Sequence, residues 1–394
     1  MLPILIGMLA RSLILVFLLA GRTVFAADLA TQIESSLAPR QLSEKNERWK
    51  LSERMLIHKV PGVSLAVVRN GSIVLAKGYG LVETGGSAVN SETLFQAASI
   101  SKPVSALAAL HMMQYGNFTL DENVNGKLTS WKVPDNEFTR TEKVTLRRLL
   151  SHTAGLTVHG FPGYAKGEAI PSVPQILDGV KPANTAPVRV VAVPGSAWEY
   201  SGGGYTVVQQ LLIDRMGKPF PEILRMIVLK NAGMTHSTYE QPLPQSMAAN
   251  AARGYRRDGQ KVVGDWHTYP EMAAAGLWTT PTDLAQFGIE LWKSARGQSN
   301  KIVEKATAGQ MLTVEKQNYG LGVGIVGSGS ARWFGHSGAN EGYRCTWVMF
   351  AESGNGAVVM TNSDNGDRLA GELIRAIALV EQWPALQPER QSKP

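Results

Sequence analysis

The chain has 394 residues and carries 39 Lys and Arg against 32 Asp and Glu, which gives a formal net charge of +7. This length suits one large domain or two, because typical domains hold roughly 100–200 residues. The single cysteine, Cys345, excludes an internal disulfide and a lipid-modified cysteine near the N-terminus. The densest basic run, residues 253–257, is interpreted as solvated surface, so no nucleic-acid partner is predicted.

Residues 1–26 are predicted to be a signal peptide. Arg11 precedes the apolar residues 13–20, and Ala26 supplies a small residue at a cleavage point before Ala27. Cleavage would leave 37 basic against 32 acidic residues, a net charge of +5. The alternative is an uncleaved anchor, which the apolar residues before Arg11 allow. We predict cleavage, export to a bacterial periplasm, and no stable membrane association afterwards.

Strands are predicted towards both ends of the chain, with helices and loops between them. A polar helical stretch over residues 29–58 precedes two β-rich runs, 63–68 and 72–77, which flank the hairpin signal Asn70-Gly71. Towards the other end, strands are predicted over residues 319–326, 332–335, 343–350 and 356–361, and a helix over 369–383. The middle alternates helical runs with loops rich in Gly and Pro. We therefore expect one sheet built from both chain ends.

The segment Ser99-Ile100-Ser101-Lys102 has the pattern of an activated serine. Residues three apart share a helix face, so Lys102 can bring its amine within reach of the Ser99 hydroxyl. A lysine among apolar neighbours can lose its proton and act as the base that serine needs. Because Pro103 is tolerated only in the first helical turn, Ser99 is placed at the helix start. Backbone N–H groups there can also stabilise an oxyanion.

Two later segments follow in the order that this chemistry uses: Tyr200-Ser201-Gly202 and His336-Ser337-Gly338. Together the three motifs resemble the serine β-lactamase and penicillin-binding protein superfamily, in particular the class C β-lactamase-like serine hydrolases. That group includes D-aminopeptidases, D-Ala-D-Ala carboxypeptidases and esterases. Within the resemblance, Tyr200-x-Gly202 corresponds to a Tyr-x-Asn motif, and His336-Ser337-Gly338 to Lys-Thr-Gly. Further familial segments are residues 150–156, 194–196 and 335–342.

The resemblance implies an α+β fold of the β-lactamase/transpeptidase type. Such a fold has an antiparallel sheet built from both chain ends, flanking helices, and a mostly helical inserted subdomain. It divides the mature chain into a sheet-containing part, residues 27–98 and 275–394, and a helical insert, residues 99–274. The two parts are expected to form one catalytic unit, with the active site in the cleft between them.

The resemblance also implies roles for individual residues. Ser99 is expected to form the acyl-enzyme, with Lys102 and Tyr200 sharing the work of the base. A free phenol has a pKa of about 10, so Tyr200 needs a nearby cation such as Lys102 to favour either the phenolate or a short proton relay. The backbone N–H groups of Ser99 and Ala339 are expected to hold the oxyanion. The residues expected to contact the substrate are Gly202, His336, Ser337 and Gly338.

The strand-side motif carries two further expectations. Gly338 is expected to leave room for the substrate to approach the strand. His336 is expected to face the cleft and donate to a substrate carboxylate or to the Tyr200 oxygen. Three aromatic residues are candidates for lining the cleft: Trp198, Trp278 and Tyr343.

Two departures from the family pattern bear on the substrate. Gly202 replaces an asparagine amide, and His336 replaces a permanent cation that would attract the carboxylate of a β-lactam. The predicted substrate is a small-molecule or short-peptide acyl compound, with β-lactams, D-amino-acid peptides and carboxylic esters all open and peptidoglycan-derived compounds included. The alternative is a protein that binds penicillin or cell-wall peptides and acylates slowly or not at all.

Other chemistries lack their sequence elements. The chain has no Gly-x-Ser-x-Gly elbow, no His-Glu-x-x-His run and no phosphate-binding Gly-x-x-x-x-Gly-Lys-Ser/Thr loop. We therefore predict no metal and no cofactor. His152 is interpreted as a residue that fixes a helix end or a loop, and His159 as an ordinary loop histidine.

Overall fold

The structure of the protein is a computed structural model that describes residues 26–42 and 47–390. The predicted signal peptide, apart from Ala26, lies outside the described residues. Among the helices that are described, none is both long enough and apolar enough to cross a membrane. The described residues fall into two compact units, one of residues 26–42, 47–54 and 372–390 and one of residues 55–371.

The described ranges contain the following elements. The strands are β1 Gln41–Leu42, β2 Gly62–Arg69, β3 Ser72–Gly80, β4 Phe95–Gln96, β5 Trp278–Thr279, β6 Gly324–Val326, β7 Trp333–Asn340, β8 Tyr343–Phe350, β9 Gly356–Thr361 and β10 Glu389–Arg390. The helices are α1 over residues 26–34, α2 Leu51–His58, α3 Ser101–Gln114, α4 Leu146–Leu150, α5 Val173–Asp178, α6 Gly202–Met216, α7 Phe220–Leu224, α8 Lys230–Ala232, α9 Gln245–Ala248, α10 Met272–Ala275, α11 Pro281–Ala295, α12 Lys305–Met311 and α13 Gly366–Val380. Shorter turns are the 3₁₀ segments Ala98–Ile100, Val124–Gly126, Glu137–Thr139 and Gly329–Ala331, and the π segment Arg225–Leu229.

The smaller unit pairs the two ends of the described chain. Strands β1 and β10 run parallel, with Gln41 opposite Glu389. Arg54 donates to the Glu372 carboxylate through Nε at 2.9 Å and Nη2 at 2.6 Å. The guanidinium of Arg54 also lies 4.0 Å over the ring of Trp49. A bidentate ion pair of this kind stabilises more than a single surface contact.

The helical stretch predicted over residues 29–58 is interrupted in the structure. The first helix ends at residue 34, and the next begins only at Leu51. Pro39 lies in the gap, where its missing N–H and fixed φ oppose a continuing helix. The sequence pattern was therefore right about helix at each end of this stretch and wrong about its middle.

The larger unit is built on a six-stranded antiparallel sheet with the strand order β3-β2-β9-β8-β7-β6. Strands β2 and β3 come from the start of this unit and the other four from its end. They meet where β2 pairs with β9, with Val63 opposite Thr361. Helix α11 packs against β2 and β9, whose residues are almost all buried. The predicted α+β fold, with a sheet drawn from both chain ends, is confirmed.

The hairpin between β2 and β3 turns at Asn70-Gly71. Both residues have positive φ, 50° and 69°, as a two-residue type I′ turn requires. A Cβ at Gly71 would also lie 2.4 Å from the ring of Trp292, so glycine is needed for packing as well as for its backbone angle.

Strand β7 is longer than its sequence pattern predicts, and β6 is shorter. Pairing continues along β7 as far as Asn340, which lies opposite Tyr343 of β8. Strand β6 pairs with β7 only over residues 333–335, because the chain before it turns at Gly322 with φ of +97°. Within the described sheet, residues 336–340 of β7 therefore have a neighbouring strand on one side only. That free edge is where the family motif His336-Ser337-Gly338 lies.

The described residues between 99 and 274 form helices α3 to α10 and long loops. Helix α3 is apolar around most of its circumference and rich in alanine, which suits a helix buried on every side. It packs against α10, α12 and α6, and it begins directly after Ser99 and Ile100. The turn that precedes this buried helix, with Ser99 at its centre, therefore packs beside strand β7.

Candidate active site

Ser99 is the central residue of a single 3₁₀ turn directly before α3. The preceding residue, Ala98, has φ of +48°, a left-handed conformation that costs a non-glycine residue roughly 1–2 kcal/mol. Three hydrogen bonds hold the turn in place. The Ala97 N–H donates to the Leu277 carbonyl at 2.8 Å, Ser101 Oγ donates to the Ala98 carbonyl at 2.6 Å, and the Leu277 N–H donates to Ser101 Oγ at 2.9 Å. The serine hydroxyl is thus presented from a rigid, strained turn.

Lys102 lies one helical turn after Ser99, and its side chain is only 2% exposed. Its Nζ is 3.0 Å from Ser99 Oγ and donates to the Ala274 carbonyl at 2.9 Å. Burial lowers the pKa of Lys102 from 10.5 to about 7, because desolvation penalises the ammonium form. Near neutral pH a large fraction of this amine is uncharged and able to accept the serine proton.

Tyr200 lies close enough to Ser99 for the two side chains to interact. Burial raises the pKa of the Tyr200 phenol above its usual value, and the interaction with Ser99 offsets only part of that rise. Lys102 Nζ lies 4.9 Å from the centroid of the Tyr200 ring, so it faces the ring and not only the oxygen. Of the two forms considered for Tyr200, the neutral phenol of a proton relay is favoured over the phenolate.

The position of Tyr200 is set by the start of α6. Ser201 caps that helix: its Oγ accepts from the Gly204 N–H at 2.9 Å and donates to the Thr157 carbonyl at 2.8 Å. Gly202 is buried, its N–H donates to the His159 carbonyl at 3.1 Å, and a Cβ there would lie 3.0 Å from Phe161. Gly202 therefore supplies close packing of the helix start. Its expected contact with substrate stays a prediction.

His336 is half-buried on β7, and both of its ring nitrogens are engaged by the protein. Nδ1 donates to the Ser337 carbonyl at 2.6 Å, so the neutral ring accepts through Nε2 from the Tyr319 hydroxyl at 3.1 Å. Burial, reinforced by the charge of Lys102, lowers the pKa of His336 to about 4. The ring is thus neutral near pH 7. Its hydrogen-bond partner is Tyr319 and not Tyr200, which differs from the sequence-based expectation.

Gly338 packs against the turn that carries the nucleophile. A Cβ at this position would lie 2.2 Å from the Ala97 carbonyl oxygen and 2.7 Å from Cys345 Sγ. Glycine is therefore required for contact between β7 and the Ser99 turn. That Gly338 also leaves space for the substrate stays a prediction. The neighbours Ser337 and Ala339 are exposed, as side-chain alternation along a strand requires. The oxyanion role of the Ser99 and Ala339 N–H groups stays a prediction.

Asn340, at the end of β7, is a site-supporting residue that sequence reasoning missed. Its buried Nδ2 donates to Gln96 Oε1 at 2.8 Å and to the Ala275 carbonyl at 3.1 Å. One amide therefore joins β7 to β4 and to α10, the helix whose Ala274 carbonyl holds Lys102. The contact spans 244 residues of sequence between Asn340 and Gln96, so no local pattern could have indicated it.

The three aromatic candidates separate into two environments. Trp278 and Tyr343 are 0% exposed and meet edge to face at 5.8 Å between ring centroids, so they are core residues and not cleft lining. Trp198 is half-buried, with its ring centroid 5.9 Å from that of Tyr319 and 6.4 Å from that of Tyr200. Only Trp198 of the three borders the site.

A cavity of about 380 Å³ opens beside Tyr200. Most of its wall is apolar, and its polar groups include His159 and Glu199. The lining residues are Gly155, Leu156, Thr157, Val158, His159, Val191, Ala192, Ala197, Glu199 and Tyr200. Among the residues that the structure describes, no group of three or more His, Cys, Asp and Glu side chains is arranged to hold a metal ion.

Comparison with known proteins places these observations in a family. The sequence model of the Beta-lactamase family matches residues 47–382. Penicillin-binding protein 4 of Amycolatopsis lactamdurans is 24% identical over 335 residues, which cover 81% of this chain and 85% of that protein. Other curated relatives are longer: the match to protein flp of Staphylococcus aureus covers 57% of this chain and 42% of flp.

Solved structures show the same fold. The D-amino acid amidase from Ochrobactrum anthropi SV3 has a TM-score of 0.68 at 21% identity, covering 90% of this chain and 99% of the amidase. EstCE1, a hydrolase with promiscuous acyltransferase activity, has a TM-score of 0.67 at 18% identity, with the same coverage of both chains. Because the family model spans most of the sequence, the chain belongs to the Beta-lactamase family.

Proposed function

We propose that the protein is an exported, periplasmic serine hydrolase that cleaves carboxylic esters or amides through an acyl-enzyme on Ser99. One observation carries the proposal: Lys102 Nζ, with its pKa lowered to about 7, lies 3.0 Å from Ser99 Oγ, and the phenol of Tyr200 interacts with the same side chain. A nucleophile, a base of matched pKa and a neutral proton donor thus meet at one oxygen.

Acylation follows from this arrangement. Neutral Lys102 takes the proton of Ser99 Oγ as that oxygen bonds to the substrate carbonyl carbon. The carbonyl oxygen becomes an oxyanion, held by the N–H groups of Ser99 and Ala339. When the carbon–leaving-group bond breaks, the Tyr200 phenol protonates the departing oxygen or nitrogen and regains a proton from Lys102. The products of this half-reaction are an alcohol or amine and the Ser99 ester.

In deacylation, water replaces the Ser99 hydroxyl as the nucleophile, and Ser99 Oγ becomes the leaving group. A water molecule attacks the Ser99 ester while the uncharged amine of Lys102 accepts its proton, directly or through Tyr200. Collapse of the second oxyanion returns the proton to Ser99 Oγ and releases the carboxylic acid. The neutral phenol of Tyr200 suits both directions, because it can pass a proton without holding a charge in its buried environment.

The strand side favours substrates that lack a carboxylate beside the scissile bond. His336 stands where the family motif has a lysine, its pKa is lowered to about 4, and its nitrogens are taken by Ser337 and Tyr319. A neutral ring so engaged offers a substrate carboxylate neither charge nor a free donor. Esters and uncharged amides avoid that mismatch, whereas penicillins carry an anionic group.

The apolar cavity beside Tyr200 supports the same choice. Its volume of about 380 Å³ suits one side of a small acyl compound, and its wall includes Leu156, Val158 and Val191. Glu199 is the acidic residue of this wall, so an amine on the substrate would meet a favourable charge there. By their names, one protein with the same fold is a D-amino acid amidase and another is a hydrolase with promiscuous acyltransferase activity.

A second candidate function is penicillin binding without appreciable turnover. The name of the Amycolatopsis relative supports it, as does the preserved nucleophile. It predicts a stable adduct on Ser99 and no catalytic release, whereas the first candidate predicts multiple turnovers on a neutral ester.

The two functions are separated by intact-protein mass spectrometry together with steady-state hydrolysis. The chain from Ala27 and its Ser99→Ala variant are incubated with a fluorophosphonate, with benzylpenicillin, and with p-nitrophenyl acetate or a D-alanyl anilide. Ser99-dependent labelling with turnover of a neutral substrate supports the hydrolase. A lasting penicillin adduct without turnover supports the binding protein. A folded chain that is neither labelled nor active contradicts both.

A further inference from the structure

His152 contacts three consecutive residues, Glu199, Tyr200 and Ser201. Its carbonyl oxygen accepts from the Glu199 N–H at 2.8 Å, and its Nδ1 accepts from the Ser201 N–H at 3.1 Å. Between these two bonds, its imidazole lies against the ring of Tyr200, with centroids 4.2 Å apart and planes inclined by 35°. One residue therefore fixes the backbone on both sides of the tyrosine and the face of its ring.

The backbone of His152 has a left-handed conformation that allows these contacts. Its φ is +58°, in the left-handed region that residues other than glycine adopt uncommonly. This conformation turns the carbonyl and the ring of His152 towards the same neighbouring segment. A strained backbone conformation persists only where surrounding contacts hold it, and for His152 these are the contacts with residues 199–201.

The protonation state of the ring follows from geometry. The Ser201 N–H can only donate, so Nδ1 must be an unprotonated acceptor and the ring proton lies on Nε2. Nε2 is buried and has no hydrogen-bond partner among the described residues. Burial, reinforced by the nearby charge of Lys102, also holds the pKa of His152 well below its usual value. A neutral ring keeps positive charge away from the face of Tyr200.

We propose that His152 is a positioning residue for catalysis: through Nδ1 and its carbonyl it fixes the backbone on both sides of Tyr200, and so holds the Tyr200 hydroxyl against Ser99. This proposal rests on the proposed function for the role of Tyr200. It goes beyond the loop-fixing role indicated by the sequence, because it assigns the imidazole a measurable effect on proton transfer. Ser99 and Lys102 do not depend on His152 for their mutual contact, which is formed within one helix start.

The test compares two substitutions of similar bulk. In His152→Asn, the amide oxygen lies near the position of Nδ1 and asparagine tolerates positive φ, so the bond to Ser201 is kept. In His152→Leu the acceptor is lost. Because a misplacement of about 1 Å at a reacting group costs roughly 100-fold in rate, we expect kcat of the Leu variant to fall roughly 10- to 100-fold with little change in KM. The Asn variant should stay within about 3-fold of the original chain.

A second readout is independent of turnover. Tyrosine labelled with ¹³C at Cζ gives one signal for each ring, and Tyr200→Phe identifies the signal of Tyr200 by its loss. Both variants lose the imidazole ring and its ring-current effect on Tyr200, so the proposal predicts that the signal moves further in His152→Leu than in His152→Asn. Should His152→Leu fail to fold, His152→Gln removes the Nδ1-like acceptor and keeps a polar side chain in its place.

The outcomes separate a failure of the positioning role of His152 from a failure of the proposed function. A larger displacement of the Tyr200 signal in the Leu or Gln variant than in the Asn variant, with a kcat loss confined to the Leu or Gln variant, supports the positioning role. Equal kcat and equal displacement of the signal in all variants overturn it. If the original chain is not labelled on Ser99 and shows no turnover, the proposed function fails, and the Tyr200 signal alone then decides whether His152 positions that ring.

Discussion

The helix side and the strand side of the site use their polar groups differently. On the helix side, Lys102 is buried and uncharged in part, and its amine faces the Ser99 hydroxyl at 3.0 Å. On the strand side, His336 is neutral, and its nitrogens are bound to Ser337 and Tyr319 within the protein. The first side directs its reactive groups towards a substrate carbonyl, whereas the second satisfies its own groups internally.

On the proposed function, this difference separates the groups that carry out the reaction from the groups that recognise the substrate. The short spacing within one helix start brings together the proposed nucleophile, Ser99, and the proposed base, Lys102. We expect recognition to depend on the group that β7 presents at its free edge, so that a substitution of one side chain changes it. The experiments below first test the helix side, then the contact between the two sides, and then the strand side.

The largest effect is expected from Lys102→Met. Methionine fills similar space but cannot accept the serine proton, so turnover should fall roughly 1,000-fold or more, the upper range for loss of a general base. Ester hydrolysis and the rate of fluorophosphonate labelling of Ser99 measure the loss. Lys143→Met is the matched control, because Lys143 lies at the surface beside Asp135. A Lys102→Met enzyme with normal rates would refute the assignment of the base.

Tyr200→Phe should cost roughly 100-fold in kcat, because it removes the hydroxyl that relays protons at Ser99 and keeps the ring. Tyr205→Phe is the control. Its hydroxyl is equally buried but donates to the Leu150 carbonyl at 3.0 Å, so its loss should lower stability by about 1 kcal/mol and leave kcat unchanged. Equal rate losses in the two variants would mean that Tyr200 acts only through packing.

Gly338→Ala tests the contact between the two sides. Its new Cβ would meet the Ala97 carbonyl oxygen at 2.2 Å, so the strand and the nucleophile turn must separate. We expect a loss of about 1–3 kcal/mol in the free energy of unfolding, together with slower labelling of Ser99. Denaturant unfolding and labelling rates measure the two effects. Gly309→Ala is the control, since a Cβ there meets nothing within 4 Å. A fully stable and active Gly338→Ala variant would show that β7 does not support the Ser99 turn.

His336→Lys should produce the smallest change in overall rate and the clearest change in preference between anionic and neutral compounds that react with Ser99. A cation at the free edge of β7 can pair with a carboxylate, and hydrogen bonds to charged groups contribute about 1.5–3 kcal/mol. Acylation of Ser99 by benzylpenicillin should therefore accelerate roughly 10-fold relative to labelling by a neutral phosphonate. Tyr319→Phe frees His336 Nε2 without adding charge and serves as the comparison. An unchanged ratio for His336→Lys would remove His336 from the account of specificity.

The sequence predicted those features that depend on local spacing. The hairpin at Asn70-Gly71, the boundaries of β8 and β9 and the proline-marked start of α3 follow from turn chemistry and from apolar alternation. The α+β fold class itself came from the family resemblance and the strand pattern at both chain ends. Features that depend on tertiary contacts were missed or misjudged.

The length of β7 shows why. Residues 336–340 contain glycine, serine and asparagine, which are poor strand formers, and they are extended because β8 pairs with them along their whole length. The partner of His336 is Tyr319, 17 residues earlier in a segment rich in glycine, so its hydroxyl carries no local signal. The contact of His152 with Tyr200 likewise joins residues 48 positions apart. It needs a left-handed backbone at His152 that the local sequence does not reveal.

The central claim is that Lys102 is the base for acylation of Ser99, and the pH dependence of kcat/KM for a neutral ester tests it most directly. Of the neighbouring groups, His336 has its pKa lowered to about 4, His152 has its pKa held well below the usual value and Tyr200 has its pKa raised above the usual value, so Lys102 is the group expected to change charge near pH 7. Because the deprotonated amine is active, kcat/KM should rise tenfold per pH unit below about 7 and level off above it. The rise should be absent from the residual activity of Lys102→Met. A flat profile in the original chain, or the same rise in the variant, would contradict the account.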